Sequence, residues 1–571
     1  MLTPTAKFKK MKKLHLLLAL LALLFVMPSC ETEDEGDTDI TVITGTISTP
    51  ITWKAGETWV VEGSVYLEAD LIIEPGTTVE FKKDAVVYVG YSSPASITAL
   101  GTADKPIVFR GYEGQTWKGI ELYSQNSATK SAFTYCTFRQ LGGDYALLIY
   151  GTKAKLDHCS FTECAKSAIH VLGGGDFNGF TNNTLQGCGA FLMEIDADVA
   201  GSLGTTNTFT ATGNKGVRIS GNRNVTRTAT WSSIGVPYVI ANEYFIEVDA
   251  DLTIAAGATV LFEPHSMLEV GYSEYASLKA VGTAQAPITF TSASANPQPG
   301  DWYGIQFYSK NSSTASELTF CTIEYAGTQS YPALYINETQ VKLNDCTVAK
   351  GQYYGVEVYG NAKFTQCMRN TIKEFGNHPM RVDVNAVYTI DASNTILSDG
   401  NFGVYIPNYD LTGTVTWNKH EVPYFVEFIR FNNNAVLTIA PGTTVKFLPE
   451  GYFEVGYGAY GKLIAEGTAN EPITFTSAAS SPSAGDWGGL LFYPQTSAGT
   501  KLSNCVVAFA GNPNDDTGAI YIEECGNAIS LANTQIAHSA TCDVYLYYST
   551  TPSMVNVTNH NGEQANVCVV N

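Results

Sequence analysis

The chain has 571 residues, with 33 basic and 54 acidic side chains and a formal charge of −21. At roughly 150 residues per domain, length alone gives three to four domains. Charged residues at 15% and aromatics at 12%, with 52 Gly and 32 Tyr, exclude a disordered chain, and the acidic balance excludes nucleic acid, whose phosphates need clustered Lys and Arg.

The first element is a leader. Lys7, Lys9, Lys10, Lys12 and Lys13 precede an unbroken apolar run from Leu16 to Met27. Twelve residues are too few to span a bilayer, where about 20 are needed, so residues 1–29 read as a secretory signal. The run ends in Val26-Met27-Pro28-Ser29-Cys30, which resembles a bacterial lipobox. That resemblance implies lipidation at Cys30. Glu31, Glu33, Asp34, Glu35 and Asp37 follow, and an acidic run in that place resembles the surface-export signal of Bacteroidota lipoproteins. An acidic flexible tether is expected over residues 30–48. Five lysines and no acid precede Cys30, so the processed chain would carry −26.

A long repeat follows. Ile72-Ile73-Glu74-Pro75-Gly76-Thr77-Thr78-Val79 returns as Thr253-Ile254-Ala255-Ala256-Gly257-Ala258-Thr259-Val260 and as Thr438-Ile439-Ala440-Pro441-Gly442-Thr443-Thr444-Val445. Val89-Gly90-Tyr91 returns as Val270-Gly271-Tyr272 and Val455-Gly456-Tyr457. The three units are set at residues 49–230, 231–415 and 416–571, the last one shortened. A finer period of about 24 residues runs inside them: Cys136, Cys159 and Asn183 in the first unit, Cys321, Cys346 and Asn370 in the second, Cys505 and Asn533 in the third. Short runs such as Pro106-Ile107-Val108-Phe109 alternate apolar and polar residues and predict half-buried strands. A unit this short cannot bury its own apolar side and must stack on its neighbours as a solenoid. The fixed Cys and Asn positions predict a ladder along the axis, in which Cys fills an Asn slot as a small hydrophobe.

The Pro-Gly-Thr-Thr-Val, Gly-Thr-Ala and Gly-Asp-Trp patterns (Gly485-Asp486-Trp487) resemble the right-handed parallel β-helix repeat proteins of bacterial envelopes. The fold expected is all-β, a right-handed parallel β-helix of about 22 coils, continuous from roughly residue 50. The resemblance is specific for fold and leaves function open, since that family includes lyases, adhesins and proteins of unknown role. Of the twelve cysteines, the eleven after Cys30 are expected as buried free thiols, and zinc is disfavoured because no Cys-x-x-Cys occurs.

Chemistry should break the repeat. His378-Pro379-Met380-Arg381-Val382-Asp383 does so, since Arg381 stands where Glu194 stands in the first unit. His378, Arg381 and Asp383 are the candidate catalytic group; an exposed ion pair beside a loop histidine is the alternative. Three aromatic sets repeat: Tyr91, Tyr272 and Tyr457; Tyr123, Tyr308 and Tyr493; Trp117, Trp302 and Trp487. Flat rings with a polar edge suit sugar faces, and sets about 38 Å apart would suit one long polymer. The alternative is that Trp covers a corner and Tyr packs along a flank. The leading expectation is a non-catalytic surface lipoprotein that binds glycans or another surface. Its rivals are a polysaccharide lyase or glycoside hydrolase working in a groove, and a structural spacer or adhesin. The expected partners are a polysaccharide or surface glycan and, through the lipid, the outer membrane. The chain is expected as an exterior-facing monomer without cofactor, metal or nucleic acid.

Overall fold

The computed structural model describes residues 40–312, 315–407, 409–512 and 517–571. The signal segment, Cys30 and the acidic run lie outside them. Ile40–Ile47, placed above in the tether, is a strand paired in parallel with Thr58–Leu67. Its Ile43 and Ile47 pack on the core, and that burial gives an end expected to be flexible a reason to order.

Among the described residues, every named strand pairs in parallel with the strand one coil before or after it, giving a right-handed parallel β-helix. Each coil has three sides. Ile107–Gly111 shows why the sequence folds this way: its side chains alternate between buried and half-buried, the period of two that a strand imposes. Val79, Phe109, Phe138, Phe161, Leu185 and Phe209 stand in register on successive coils and form one inward column. Phe109, Phe138 and Phe161 stack at 4.8 and 4.5 Å between centroids. About 21 coils at roughly 4.8 Å each give a rod on the order of 100 Å long.

The polar ladder is present and extends one rung further than expected. Asn183 Oδ1 accepts from the Cys159 amide at 2.9 Å, and Asn207 Oδ1 accepts from the Asn183 amide at 2.9 Å. The second unit repeats this with Cys346, Asn370 and Asn394. Each amide nitrogen also donates to a backbone carbonyl, as Asn183 does to Leu156 at 3.1 Å and Asn370 to Leu343 at 2.8 Å, so the buried group is satisfied. In the third unit Asn533 is not the rung. It is exposed and takes the left-handed turn conformation (φ 46°) that also precedes the rungs at His158 and Asp345. Thr534 fills the slot, with its hydroxyl 3.5 Å from the Leu502 carbonyl.

The cysteines divide. Cys542 and Cys568 form a disulfide with Cα atoms 5.9 Å apart, while nine others are free and eight of those are buried. The expectation of eleven free thiols fails at this pair. It joins two of the last coils, where Val555, Val569 and Val570 are exposed and less apolar surface is available to hold the strands.

The repeats do not stack in line. In the first repeat Val86–Val89, Gly119–Leu122, Leu147–Tyr150, Ile169–Leu172, Met193–Ile195 and Val217–Ile219 stack on one side of the coil. The strand that comes next on that side is Tyr238–Ile240. By sequence it is the second repeat's counterpart of residues 58–61, which belong to the preceding side in the first repeat. The second repeat's counterparts of Val86–Val89 and Gly119–Leu122 are Met267–Val270 and Gly304–Phe307. They stack instead on Asn224–Val225, one side further round. The same step recurs where Tyr424 meets Val404 and the next set stacks on residues 409–412. Each repeat is thus turned by one side, and the three repeats present equivalent strands on three different sides. The stepping coils are short: 24 residues separate Met193 from Val217, but 21 separate Val217 from Tyr238. In the second case 24 fall to 20.

Candidate functional site

The Val-Gly-Tyr turn that closes the strand Val86–Val89 is where the first tyrosine set is made. Gly90 is there because the next coil crosses it: a Cβ would lie 2.1 Å from the Asn126 amide nitrogen, and Gly271 and Gly456 meet Asn311 and Thr496 at 2.2 Å each. The turn throws Tyr91, Tyr272 and Tyr457 outward, 58, 59 and 55% exposed. Each meets its partner from the next coil edge-on, and Tyr91–Tyr123, Tyr272–Tyr308 and Tyr457–Tyr493 all have centroids 5.0 Å apart. This is the edge-to-face geometry that aromatic quadrupoles favour.

A third ring extends each pair, and the sequence reading missed it. Tyr150 lies 6.2 Å from Tyr123, Tyr335 6.1 Å from Tyr308, and Tyr521 5.7 Å from Tyr493. Tyr335 and Tyr521 share a register position, but Tyr150 comes two residues later along its strand, so no simple repeat marks the set. In the first repeat Tyr66 and Tyr88 stack at 4.9 Å and carry the row further along the axis.

A carboxylate stands behind each pair. Glu121 accepts from the Tyr123 hydroxyl at 2.6 Å and from Tyr145 at 3.0 Å. Burial, then the bond to Glu121, holds Tyr123 well above the ordinary phenol range. Burial and the charge of Glu269 raise Tyr308, and burial with Glu454 pushes Tyr493 up to about 12. Glu269 is itself raised by burial and by Glu247. Each row is therefore a set of phenols over a carboxylate side chain from the strand behind it.

The tryptophan set lies inside. Trp117, Trp302 and Trp487 are buried and stack face-on against Phe81, Phe262 and Phe447 at 3.9, 3.8 and 4.0 Å. Their indole nitrogens donate to the backbone carbonyls of Arg139, Glu324 and Ala508 at 3.0, 2.9 and 2.8 Å. As ligand-binding candidates they are corrected here: no ring face is left for a ligand. A second buried set, Trp53, Trp231 and Trp417, went unnoticed in the sequence. It follows a threonine each time and, at Trp231 and Trp417, sits in the coil where the side changes.

His378, Arg381 and Asp383 do not form one constellation. The Arg381 guanidinium is paired with Glu357 and lies over the Tyr359 ring. His378 accepts from the Gly403 amide at 3.1 Å and packs on Phe402, Tyr405 and Phe425. Burial lowers it to about 4. Asp383 is buried and turns back to accept from the Asn385 amide at 2.9 Å. Arg381 in place of Glu194 is explained by its neighbours, because Glu357 replaces His170 one coil earlier. In the first repeat Glu194 pairs with Arg218 from the following coil. Among the described residues no group of three His, Cys, Asp or Glu is arranged to hold a metal ion, and no helix is long and apolar enough to cross a membrane.

The model of the pectate-lyase-like β-helix domain matches residues 45–145, 223–333 and 410–524, together more than half of the chain. The chain belongs to that family. The model of the right-handed β-helix region matches residues 117–232. No curated protein and no solved structure matches the chain. The second and third pectate-lyase-like matches begin beside Asn224 and Tyr409, where the side changes.

Proposed function

We propose that this pectate-lyase-like β-helix protein is a non-catalytic rod that binds glycans through its tyrosine rows. The observation that carries it is the exposed ring set edge-on to a half-buried one at 5.0 Å in all three repeats. The same exposed ring recurs on the same half-buried partner in every repeat, and exposed aromatic rings with a polar edge suit a partner that is part apolar and part wet. Successive coils rise by about 4.8 Å, close to the length of one pyranose residue, and the phenols offer hydrogen bonds at its edge. The carboxylates behind the rows, in a chain of charge −21, repel polyuronates and favour neutral sugars. A glycan array probed with residues 31–571 tests this: binding to neutral glycans is expected, and an array without hits overturns it. Cleavage of any bound glycan would overturn the non-catalytic part.

The same proposal places the rod on the outer face of the outer membrane, held by lipid on Cys30. The basic leader, the lipobox-like Val26-Met27-Pro28-Ser29-Cys30 and the acidic run support it. Cys30→Ser should move the protein from the membrane fraction to the soluble one. Unchanged fractionation would remove the anchor from the account.

A further inference from the structure

We infer that the three tyrosine rows hold three separate glycan chains, so that one molecule cross-links a polysaccharide rather than lying along a single strand of it. The inference rests on the glycan-binding reading of the rows and adds their number and direction. It comes from the register.

Gly119–Leu122, which carries the first row's Glu121 and leads to Tyr123, belongs to the side that continues through Val217–Ile219 into Tyr238–Ile240. Gly304–Phe307, which leads to Tyr308, belongs to the side that continues through Val404–Ile406 into Tyr424. Gly489–Phe492, which leads to Tyr493, belongs to a third, through Tyr452–Val455 back to residues 409–412. Between Val217–Ile219 and Tyr238–Ile240 the chain passes Asn224–Val225 and Ala229–Trp231, one on each of the other two sides. The second row therefore begins on the side next to the first, and the third on the side next to the second. Successive rows are separated by seven coils and one side, about 35 Å along the axis.

A glycan stiff enough to lie flat on one row runs parallel to the axis and leaves the rod on that side. To reach the next row it would have to turn a corner of the coil and climb about 35 Å. Three chains, one per side, meet no such demand. Linked sites of this kind give avidity toward a network only where geometry permits simultaneous engagement, and three outward sides permit it. The rows are also unequal. The second is the shortest, while the first runs through Tyr66, Tyr88, Tyr91, Tyr123 and Tyr150 and the third from Tyr457 through Tyr493 and Tyr521 to Tyr545 and Tyr547, so the first row can still hold a chain when the exposed ring of each of the others is removed.

The test uses four soluble neutral polymers: hydroxyethyl cellulose, laminarin, mannan and xylan. Affinity electrophoresis reads binding, and light scattering across a titration reads cross-linking. Wild type is expected to retard on at least one polymer and to raise scattering at least tenfold at equivalence, with a fall in polymer excess. Tyr272→Ala/Tyr457→Ala, which keeps the first row, should still retard but give no rise. Scattering that persists in this double variant, or wild-type binding without any rise, overturns the inference and leaves glycan binding standing. Wild type that binds none of the four polymers defeats the glycan reading, and the inference falls with it. Melting temperatures within about 2 °C of wild type verify that the variants are folded.

Discussion

Trp117, Trp302 and Trp487 recur once per repeat, as Tyr91, Tyr272 and Tyr457 do, and the two sets end on opposite sides of the chain's surface. The tryptophans stack face-on against Phe81, Phe262 and Phe447 and give their N–H groups to carbonyls. The tyrosines stand edge-on to Tyr123, Tyr308 and Tyr493 with more than half of each ring in water. Periodicity shows that a position is used three times; only the partner one coil away shows whether the use is structural.

Substitutions should separate the two sets, beginning with the largest effect. Trp302→Ala removes a fully buried ring stacked on Phe262 and should cost about 3–5 kcal/mol of unfolding free energy in urea titration. A loss below about 1 kcal/mol would put the tryptophans back among the surface candidates. Cys568→Ser opens a loop of 26 residues and should cost about 3 kcal/mol by chain entropy. Amide exchange should locate that loss in the last coils. His378, lowered to about 4 by burial against about 6.5 unfolded, binds its proton more weakly folded than unfolded. Stability from this group is complete above pH 6.5 and falls between pH 6.5 and 4, by up to about 3 kcal/mol. His378→Phe should flatten that part of the pH–stability curve, and an unchanged slope would contradict the burial. Tyr272→Ala comes last, at about 0.5–1.5 kcal/mol for one aromatic pair. Its larger effect should be on glycan binding.

Much of the fold is legible before any coordinates. Strand alternation and a 24-residue period fix a solenoid, and the Cys and Asn rungs of the first two units lie in the slots read from sequence. The third unit misleads because Asn533 resembles a rung but is the turn residue before Thr534. The turning of each repeat is not visible in the motif offsets, since a linear repeat records spacing and not the side a strand joins. Its traces are the two short coils and the Thr-Trp pairs at Trp231 and Trp417. In the candidate site, Tyr91 and Tyr123 are readable as positions, but their 5.0 Å contact depends on the next coil's backbone crossing Gly90. Arg381 looked like a symmetry break because its partner, Glu357, sits 24 residues away on the preceding coil.

The most direct test of the account is a glycan array probed side by side with wild type and with Tyr91→Ala/Tyr272→Ala/Tyr457→Ala. The account expects wild type to bind neutral glycans and the triple variant to lose at least tenfold in signal while keeping its melting temperature. Equal binding by the two proteins would contradict it.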